Sequence, residues 1–282
     1  MITIDGRADL LSMNLTELGE FLAELGVEKY RAKQIYGWMV RGVGFDGMTN
    51  LSKALRERLA ESAVVNLPTI ERRLVSKLDG TVKYLFGLYD GNLIESVFMR
   101  YKHGNTLCVS SEVGCPMGCR FCASTLGGLV RRLLTSELLG QVIAAERDTG
   151  ERISNIVMMG IGEPLDNYDN TIKFLRLVSD PDGLDIGSRH ISLSTCGLVD
   201  KIDELAKLEL QITLSISLHA ADDETRSSIM PINKKWNISS LLDACRRYFD
   251  ATGRRISFEY TLISNKNDSP AYAKRLASTL KR

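Results

Sequence analysis

Three cysteines within one short run, Cys115-Pro-Met-Gly-Cys119-Arg-Phe-Cys122, constrain this chain more than any other feature. A disulfide framework spreads its cysteines along a short secreted chain. This chain has 282 residues and begins Met1-Ile2-Thr3-Ile4-Asp5, without the basic start and apolar stretch of a signal peptide. The group therefore reads as a metal site in a reducing compartment. Structural zinc takes four ligands, usually as two separated pairs. No second pair follows here, and the histidines stand apart at 103, 190 and 219. Iron–sulfur clusters are normally held by four thiolates, so a compact set of three leaves one corner for a ligand that is not protein. The fold has to present one loop of three thiols to a shared centre.

Hydrophobic residues make up 44% of the chain and charged residues 25%, ordinary values for a globular protein. The length suits one large domain plus a small one. No apolar run is long enough to span a bilayer, so a membrane protein is not expected and a cytoplasmic location is. The formal net charge of +1 neither requires nor excludes a nucleic-acid partner, because phosphate contacts need clustered Lys and Arg rather than a basic whole. The pairs Arg72-Arg73, Arg131-Arg132, Lys234-Lys235, Arg246-Arg247 and Arg254-Arg255 each read, taken singly, as solvated faces.

Hydrophobic spacing divides the chain into three parts. Residues 12–64 look helical: Leu15, Leu18, Phe21, Leu22 and Leu25 recur at helical spacing and Gly26 stops that helix. Further helices are expected at 28–40 and 53–62. Strands at 69–77, 82–89 and 92–100, separated by Asp79-Gly80 and Asp90-Gly91, predict a three-stranded meander with both turn residues at positive φ. From about 105 onward strands (106–110, 155–159, 190–195, 211–218, 256–263) alternate with helices (136–149, 170–178, 199–208, 239–251), with Gly150 and Gly253 as C-caps. Such alternation predicts a parallel sheet covered by helices. A last helix starts at Ser269-Pro270, with Tyr272, Leu276 and Leu280 as its buried stripe. The fold class is α/β, an open or partial (β/α) barrel over 105–282, preceded by a helical domain over 1–66 and a β-meander over 67–104.

In (β/α) barrels the site lies at the C-terminal strand ends. The cysteine motif, Gly160-Ile-Gly162-Glu163-Pro164, Ser194-Thr195 and Ser217-Leu218-His219 all fall at such ends. Read alone, Gly-Glu-Pro is a turn, Ser194 a cap and His219 a structural histidine. The spacing C-x3-C-x-aromatic-C, with Phe121 in the aromatic slot, resembles the signature of the radical S-adenosylmethionine superfamily. There three thiolates hold a [4Fe–4S] cluster whose open iron binds S-adenosylmethionine. Gly162-Glu163-Pro164 resembles that superfamily's second motif, in which a backbone carbonyl and the Glu carboxylate receive the methionyl ammonium. Ser194, Ser217, Leu218 and His219 complete the expected cofactor contacts. Cys108, Cys196 and Cys245 read from the sequence alone as buried small hydrophobes, the last in a core set with Leu241, Leu242, Tyr248 and Phe249. Glu95 reads alone as a surface carboxylate.

Seven stretches together resemble one branch, the dual-specificity RNA methyltransferases of the RlmN/Cfr type. They are Tyr30-Arg-Ala-Lys-Gln-Ile-Tyr-Gly-Trp38, Met48-Thr-Asn-Leu-Ser-Lys53, Thr106-Leu-Cys-Val-Ser-Ser111, residues 155–164, Ser192-Leu-Ser-Thr195, Ser217-Leu-His219 and Pro231-Ile-Asn-Lys-Lys235. The resemblance implies radical methylation of adenine C2 in large-subunit rRNA and in tRNA next to the anticodon, through a methylated cysteine and a protein–RNA adduct. It implies that Cys108 helps release the adduct through a transient disulfide and that Glu95 accepts a proton, reversing both sequence-only readings. A base inside folded RNA has to be extruded to reach such a site, and the N-terminal helices, with Lys29, Arg31 and Lys33, are expected to grip RNA by shape and phosphate. The expected enzyme is a monomer fed by an electron donor such as flavodoxin. The family continues for several dozen residues past Arg282 with a sixth barrel strand, a cofactor-binding asparagine and the methyl-carrying cysteine. A truncated reading frame is therefore expected, with poor methyl transfer if the chain is whole. The alternatives are a C8-directed rRNA methyltransferase, an RNA-binding remnant without turnover, and a radical-generating activase of a protein partner.

Overall fold

The alternation of apolar and polar residues in the middle of the chain sets its most regular element. The computed structural model describes residues 2–281, which divide into two compact units. The first comprises residues up to Ser110 together with Leu133–Ile156 and Asp169–Gly187; the second comprises Ser111–Arg132, Val157–Tyr168 and the residues from Ser188 onward.

The first unit opens with β1 (Thr3–Ile4) and β2 (Arg7–Asp9), which pair antiparallel, and β2 pairs parallel with β3 (Ala63–Val64). This small sheet was not expected within the helical domain read over 1–66. The helices α1 (Leu15–Glu24), α2 (Arg31–Met39) and α3 (Lys53–Ser62) lie between β2 and β3. Asn14 and Glu17 form a reciprocal capping box at the start of α1, and Gly26, at φ +65°, ends it as expected. The strands β4 (Thr69–Val75), β5 (Val82–Gly87), β6 (Leu93–Tyr101) and β7 (Gly104–Cys108) form an antiparallel run in that order. The meander is thus four-stranded, and its last strand β7, the segment expected to begin the parallel domain, lies between β6 and β10 (Asn155–Met158) in the sheet. The Asp-Gly turns also differ in detail. Gly80 and Gly91 have φ of +72° and +80°, but Asp79 and Asp90 do not reach positive φ. Instead each Asp accepts the N–H two residues on, at 3.0 and 3.1 Å, the Asx arrangement that closes a turn without a left-handed Asp.

The period of two in β5 and β6 buries Val82, Tyr84, Phe86, Ile94, Ser96 and Phe98 on one face. The helix α4 (Thr135–Thr149) fixes itself to that face through one polar residue. Gln141, wholly buried, accepts from Ser96 Oγ at 2.6 Å and from the Ser110 N–H at 2.9 Å, and donates to the Ser110 carbonyl at 3.0 Å. The helix α5 (Tyr168–Val178) carries Lys173, which pairs with Glu17 at 2.9 Å.

The second unit holds the hairpin β8 (Glu112–Gly114) and β9 (Leu129–Arg132), and the parallel strands β11 (Ile191–Thr195), β12 (Thr213–Ser217) and β13 (Ile256–Glu259). The strand β10 (Asn155–Met158) straddles the division between the units. The helix α6 (Val199–Ala206) connects β11 to β12. Between β12 and β13 lie α7 (Asp223–Ile229), a short 3-10 turn over Pro231–Lys234, and α8 (Ile238–Thr252). The sequence reading missed α7 because it is short and mostly polar. Gly150 and Gly253 cap α4 and α8 in the left-handed region as expected. β13 is shorter than expected: Ile263 accepts from Lys266 and Asn267 in a turn, so the chain has left the sheet by then. In α8, Leu241, Leu242, Cys245 and Tyr248 are buried but Phe249 is half exposed. In α9 (Pro270–Leu280) Tyr272 and Leu276 are half-buried and Leu280 is exposed, so the expected stripe is not a core stripe among the described residues.

Among the described residues no sheet closes into a barrel, and the βα alternation of the second unit has the character of an open, partial one. No helix among them is long and apolar enough to cross a membrane. The packing of α8 is specific where the chain turns after β11. A Cβ on Gly197, at φ +107°, would stand 2.9 Å from Leu241 Cδ1, so the Leu241 side chain lies directly on backbone. Leu241→Ala should cost about 2–5 kcal/mol, read as a lowered urea midpoint; a midpoint equal to the parent's would refute this packing account.

Candidate functional site

The hairpin β8–β9 presents the cysteine motif. Residues 115–128 are its connection, so the motif lies in the hairpin's loop, directly after β8. Gly114 has φ +78°, and a Cβ there would meet the Gly128 carbonyl oxygen at 1.9 Å, so only glycine fits. The Cys115 N–H donates to that same carbonyl at 3.1 Å. Cys122 N–H donates to Cys119 O at 3.1 Å, and Thr125 Oγ1 donates to the carbonyls of Cys119 and Cys122 at 3.3 and 3.0 Å. Arg120 N–H donates to Ile229 O at 2.9 Å, anchoring the loop behind α7.

Cys115, Cys119 and Cys122 line one pocket of about 230 Å³ in the second unit. Gly162, Glu163, Ser194, Ser217 and His219 line it too. Of the residues singled out for this site only Leu218 does not: it is wholly buried. The parallel register explains the gathering. Ser194 pairs with Ser215 and Ser217 with Glu259, so the strand ends come level at one edge. Ser194 Oγ lies 3.4 Å from Ser217 Oγ and donates to Glu259 Oε2 at 3.5 Å.

Glu163 is buried and hydrogen-bonded on both oxygens. Oε2 accepts from the Cys196 N–H at 2.8 Å and Oε1 from the Leu165 N–H at 3.0 Å. Its own N–H donates to Glu112 Oε2 at 2.8 Å. Burial raises the Glu163 carboxyl above its ordinary range, and these N–H donors oppose the rise. Gly162, at φ +105°, runs so close to Glu112 that a Cβ would lie 2.6 Å from its side chain.

His219 is buried at φ +54° and meets Phe121 edge-to-face at 5.1 Å. Its Nδ1 accepts from the Thr261 N–H at 3.0 Å, which places the ring proton on Nε2. Burial, and then the Arg226 charge, lower its pKa to about 4, so the ring is neutral at physiological pH.

The donor chemistry fits an iron–sulfur cluster. Burial pushes the Cys115 thiol up to about 12 and the Cys119 thiol up to about 11. Such thiols stay protonated until a metal displaces the proton. Among the described residues no three His, Cys, Asp or Glu side chains close on a point as ligands of one ion do. The three cysteines nevertheless line one and the same pocket.

The remaining predicted residues lie in the first unit. Glu95 is on β6, where it pairs with Lys83 Nζ at 2.7 Å; Cys108 ends β7. The register aligns Lys83, Val97 and Cys108, so Lys83, Glu95 and Cys108 share the face of the meander opposite its core. All six cysteines are thiols, so no disulfide forms among the described residues. Cys196 and Cys245 are buried, whereas Cys108, read from the sequence alone as buried, is only half-buried.

Sequence reasoning missed Glu112, Arg226 and Glu259. Arg226 is wholly buried on α7, and Glu259 lines the pocket. The one available signal was an acid inside the apolar run Ile256-Ser-Phe-Glu-Tyr260. Glu112 has a pH consequence. Burial raises its pKa from 4.5 to about 8. Its contribution to stability is complete below pH 4.5 and is lost as the pH climbs through about 8. Glu112→Gln removes that dependence, so the variant should gain stability relative to the parent across this window. Urea titrations at stepped pH test this, and a pH-independent difference would refute it.

Comparison with known proteins agrees with this geometry. Residues 109–275 match the model of the radical SAM superfamily, and residues 8–65 match that of the ribosomal RNA large subunit methyltransferase N-terminal domain. A probable dual-specificity RNA methyltransferase RlmN from Alkaliphilus oremlandii is 54% identical over 276 residues, covering 98% of this chain and 80% of the relative. Its counterpart from Clostridium tetani is 52% identical, covering 97% of this chain and 78% of the relative. The crystal structure of a radical SAM methyltransferase from Sphaerobacter thermophilus superposes with a TM-score of 0.93 at 45% identity, covering 97% of this chain and 82% of that one. The chain therefore belongs to the RlmN family of radical SAM RNA methyltransferases.

Proposed function

We propose that this protein methylates C2 of adenine in large-subunit rRNA and in tRNA next to the anticodon, using a [4Fe–4S] cluster and S-adenosylmethionine. The observation that carries the reading is the single pocket lined by Cys115, Cys119 and Cys122 together with Gly162, Glu163, Ser194, Ser217 and His219. In a member of this family, that combination supports cluster ligation by the three thiolates, with the cofactor held by the other residues.

When bound, the cluster and cofactor supply one-electron reductive cleavage to a carbon radical, with electrons from a low-potential donor of the flavodoxin type. The chain's own residues hold and orient. Neutral His219 offers Nε2–H as a donor, because its Nδ1 is taken by Thr261. Ser194 and Ser217 offer hydroxyls. Glu163, held by the N–H groups of Leu165 and Cys196, lines the pocket as the acid that would receive an ammonium group. The shared face of Glu95 and Cys108 supports assigning them to one substrate complex, with Glu95 as proton acceptor and the Cys108 thiol as a transient disulfide partner in product release. Lys83 Nζ pairs with the Glu95 side chain at 2.7 Å on that face. RNA is gripped by the N-terminal helices over 1–66. Lys29 and Lys33 are exposed there, and Arg31 lies over the Tyr30 ring at 4.9 Å. The enzyme works in the cytoplasm as a monomer.

Two measurements test this. Anaerobic reconstitution should give brown iron–sulfur absorbance in the parent, and Cys119→Ala should lose it; an unchanged spectrum would sink the ligand assignment. The reconstituted parent, given dithionite, S-adenosylmethionine and either an rRNA fragment or tRNA, should yield 2-methyladenosine by nucleoside mass spectrometry. 8-Methyladenosine would replace this reading with the C8-directed one. 5′-Deoxyadenosine without methylated RNA would refute RNA methylation by this chain.

A further inference from the structure

Arg226 is the largest wholly buried side chain among the described residues, and the groups it donates to are neutral. Nε donates to the Leu218 carbonyl at 3.1 Å. Nη2 donates to the carbonyls of Cys196 at 2.7 Å and Ser217 at 3.1 Å. Nη1 donates to Asn233 Oδ1 at 3.0 Å. No carboxylate touches it. Asp223 is linked to it through Asn233, whose Nδ2 donates to Asp223 Oδ1 at 3.1 Å and to Ser227 Oγ at 2.8 Å. This relay accounts for Asn233 inside the run Pro231-Ile-Asn-Lys-Lys235.

A buried guanidinium keeps its charge, and a buried charge without a counter-ion is costly. Carbonyl dipoles offset part of that cost but supply no opposite charge. The carbonyls of Cys196 and Ser217 that it holds belong to residues lining the same pocket as Cys119. Cys196 contributes its backbone to Glu163 and Arg226 and is not in the cluster motif. Cys119 is in that motif. A cluster bound by three thiolates carries net negative charge, and accepting one electron adds another. Net charge and nearby fields set the potentials of such clusters.

We propose that Arg226 is the countercharge of the iron–sulfur cluster, a positioning residue whose buried cation favours the one-electron-reduced state. The proposal rests on ligation by Cys115, Cys119 and Cys122 but not on the identity of the RNA substrate. The electron comes from a one-electron reductant, dithionite in the test, which is oxidised as the cluster is reduced. No bond to Arg226 forms or breaks. The guanidinium also ties the ends of β11 and β12 together, and the test has to separate that structural role from the electrostatic one.

Redox titration of the reconstituted protein, followed by electron paramagnetic resonance of the reduced cluster, makes the separation. Arg226→Lys keeps the charge and loses the fork, whereas Arg226→Gln keeps a donor and loses the charge. The Lys variant should titrate like the parent. The Gln variant should be at least tenfold harder to reduce, a downward shift of 59 mV or more for one electron. Equal potentials in the parent and both variants would overturn the proposal, as would equal shifts in the two variants. If the Gln variant does not fold or load, Asn233→Asp decides. It sets a carboxylate against the intact guanidinium and should lower the potential; an unchanged potential overturns the proposal. A parent that forms no cluster would instead refute the ligand assignment, and a parent with a normal potential but no 2-methyladenosine would refute only the substrate reading.

Discussion

The peptide of Cys196 is held from both sides, and the pocket wall depends on it. Its N–H donates to Glu163 and its carbonyl accepts from Arg226. Parallel strands leave their C-terminal backbone groups without ladder partners, and buried groups of that kind have to be satisfied elsewhere. Here side chains do it. Arg226 covers the carbonyls of Cys196, Ser217 and Leu218, while the Glu259 carbonyl accepts the N–H groups of Leu218 and His219 at 3.1 and 3.2 Å. The pocket is therefore lined by backbone fixed in place before any ligand arrives, which is what precise orientation of a reactive group requires.

The same wall carries an unusual charge balance. Glu112 and Glu163 are buried acids raised by desolvation, and Arg226 is a buried cation with neutral partners. None of these choices serves stability as an apolar side chain would. Chains keep such locally unfavourable features where function needs them. The glycines tell the same story sterically: Gly114 and Gly162 sit where a methyl group would collide with the Gly128 carbonyl and with Glu112. The loops after β8 and β10 approach their neighbours as closely as backbone can.

In the first unit a single alternation serves two purposes. Val82, Tyr84 and Phe86 face the core, and the residues between them face the other way with Glu95 and Cys108. The antiparallel register decides which side chains become neighbours across β5, β6 and β7. A one-residue slip would move Glu95 and Cys108 into the core. The pairing of four strands, with Gln141 bonded to both Ser96 and Ser110, holds that register.

The local chemistry was legible in the residues. Spacing grouped Cys115, Cys119 and Cys122 in one loop, periodicity marked most of the longer helices and strands, and Gly26, Gly150, Gly253 and Ser269 marked helix ends, because each of these is fixed by near neighbours in the chain. Resemblance, not pattern, gave Glu95 and Cys108 their roles. What lay beyond reach came from contacts between distant residues. β7 joins the meander because its register with β6 is favourable, not because its own residues say so. The short strands β1–β3 exist only as partners of one another. Arg226 lies in a brief polar helix that looks like surface, and only tertiary structure buries it under the carbonyls of Cys196, Ser217 and Leu218. Sequence fixes which groups a chain carries and how its near neighbours are spaced; burial and register, which set their charge and reach, depend on residues far along the chain.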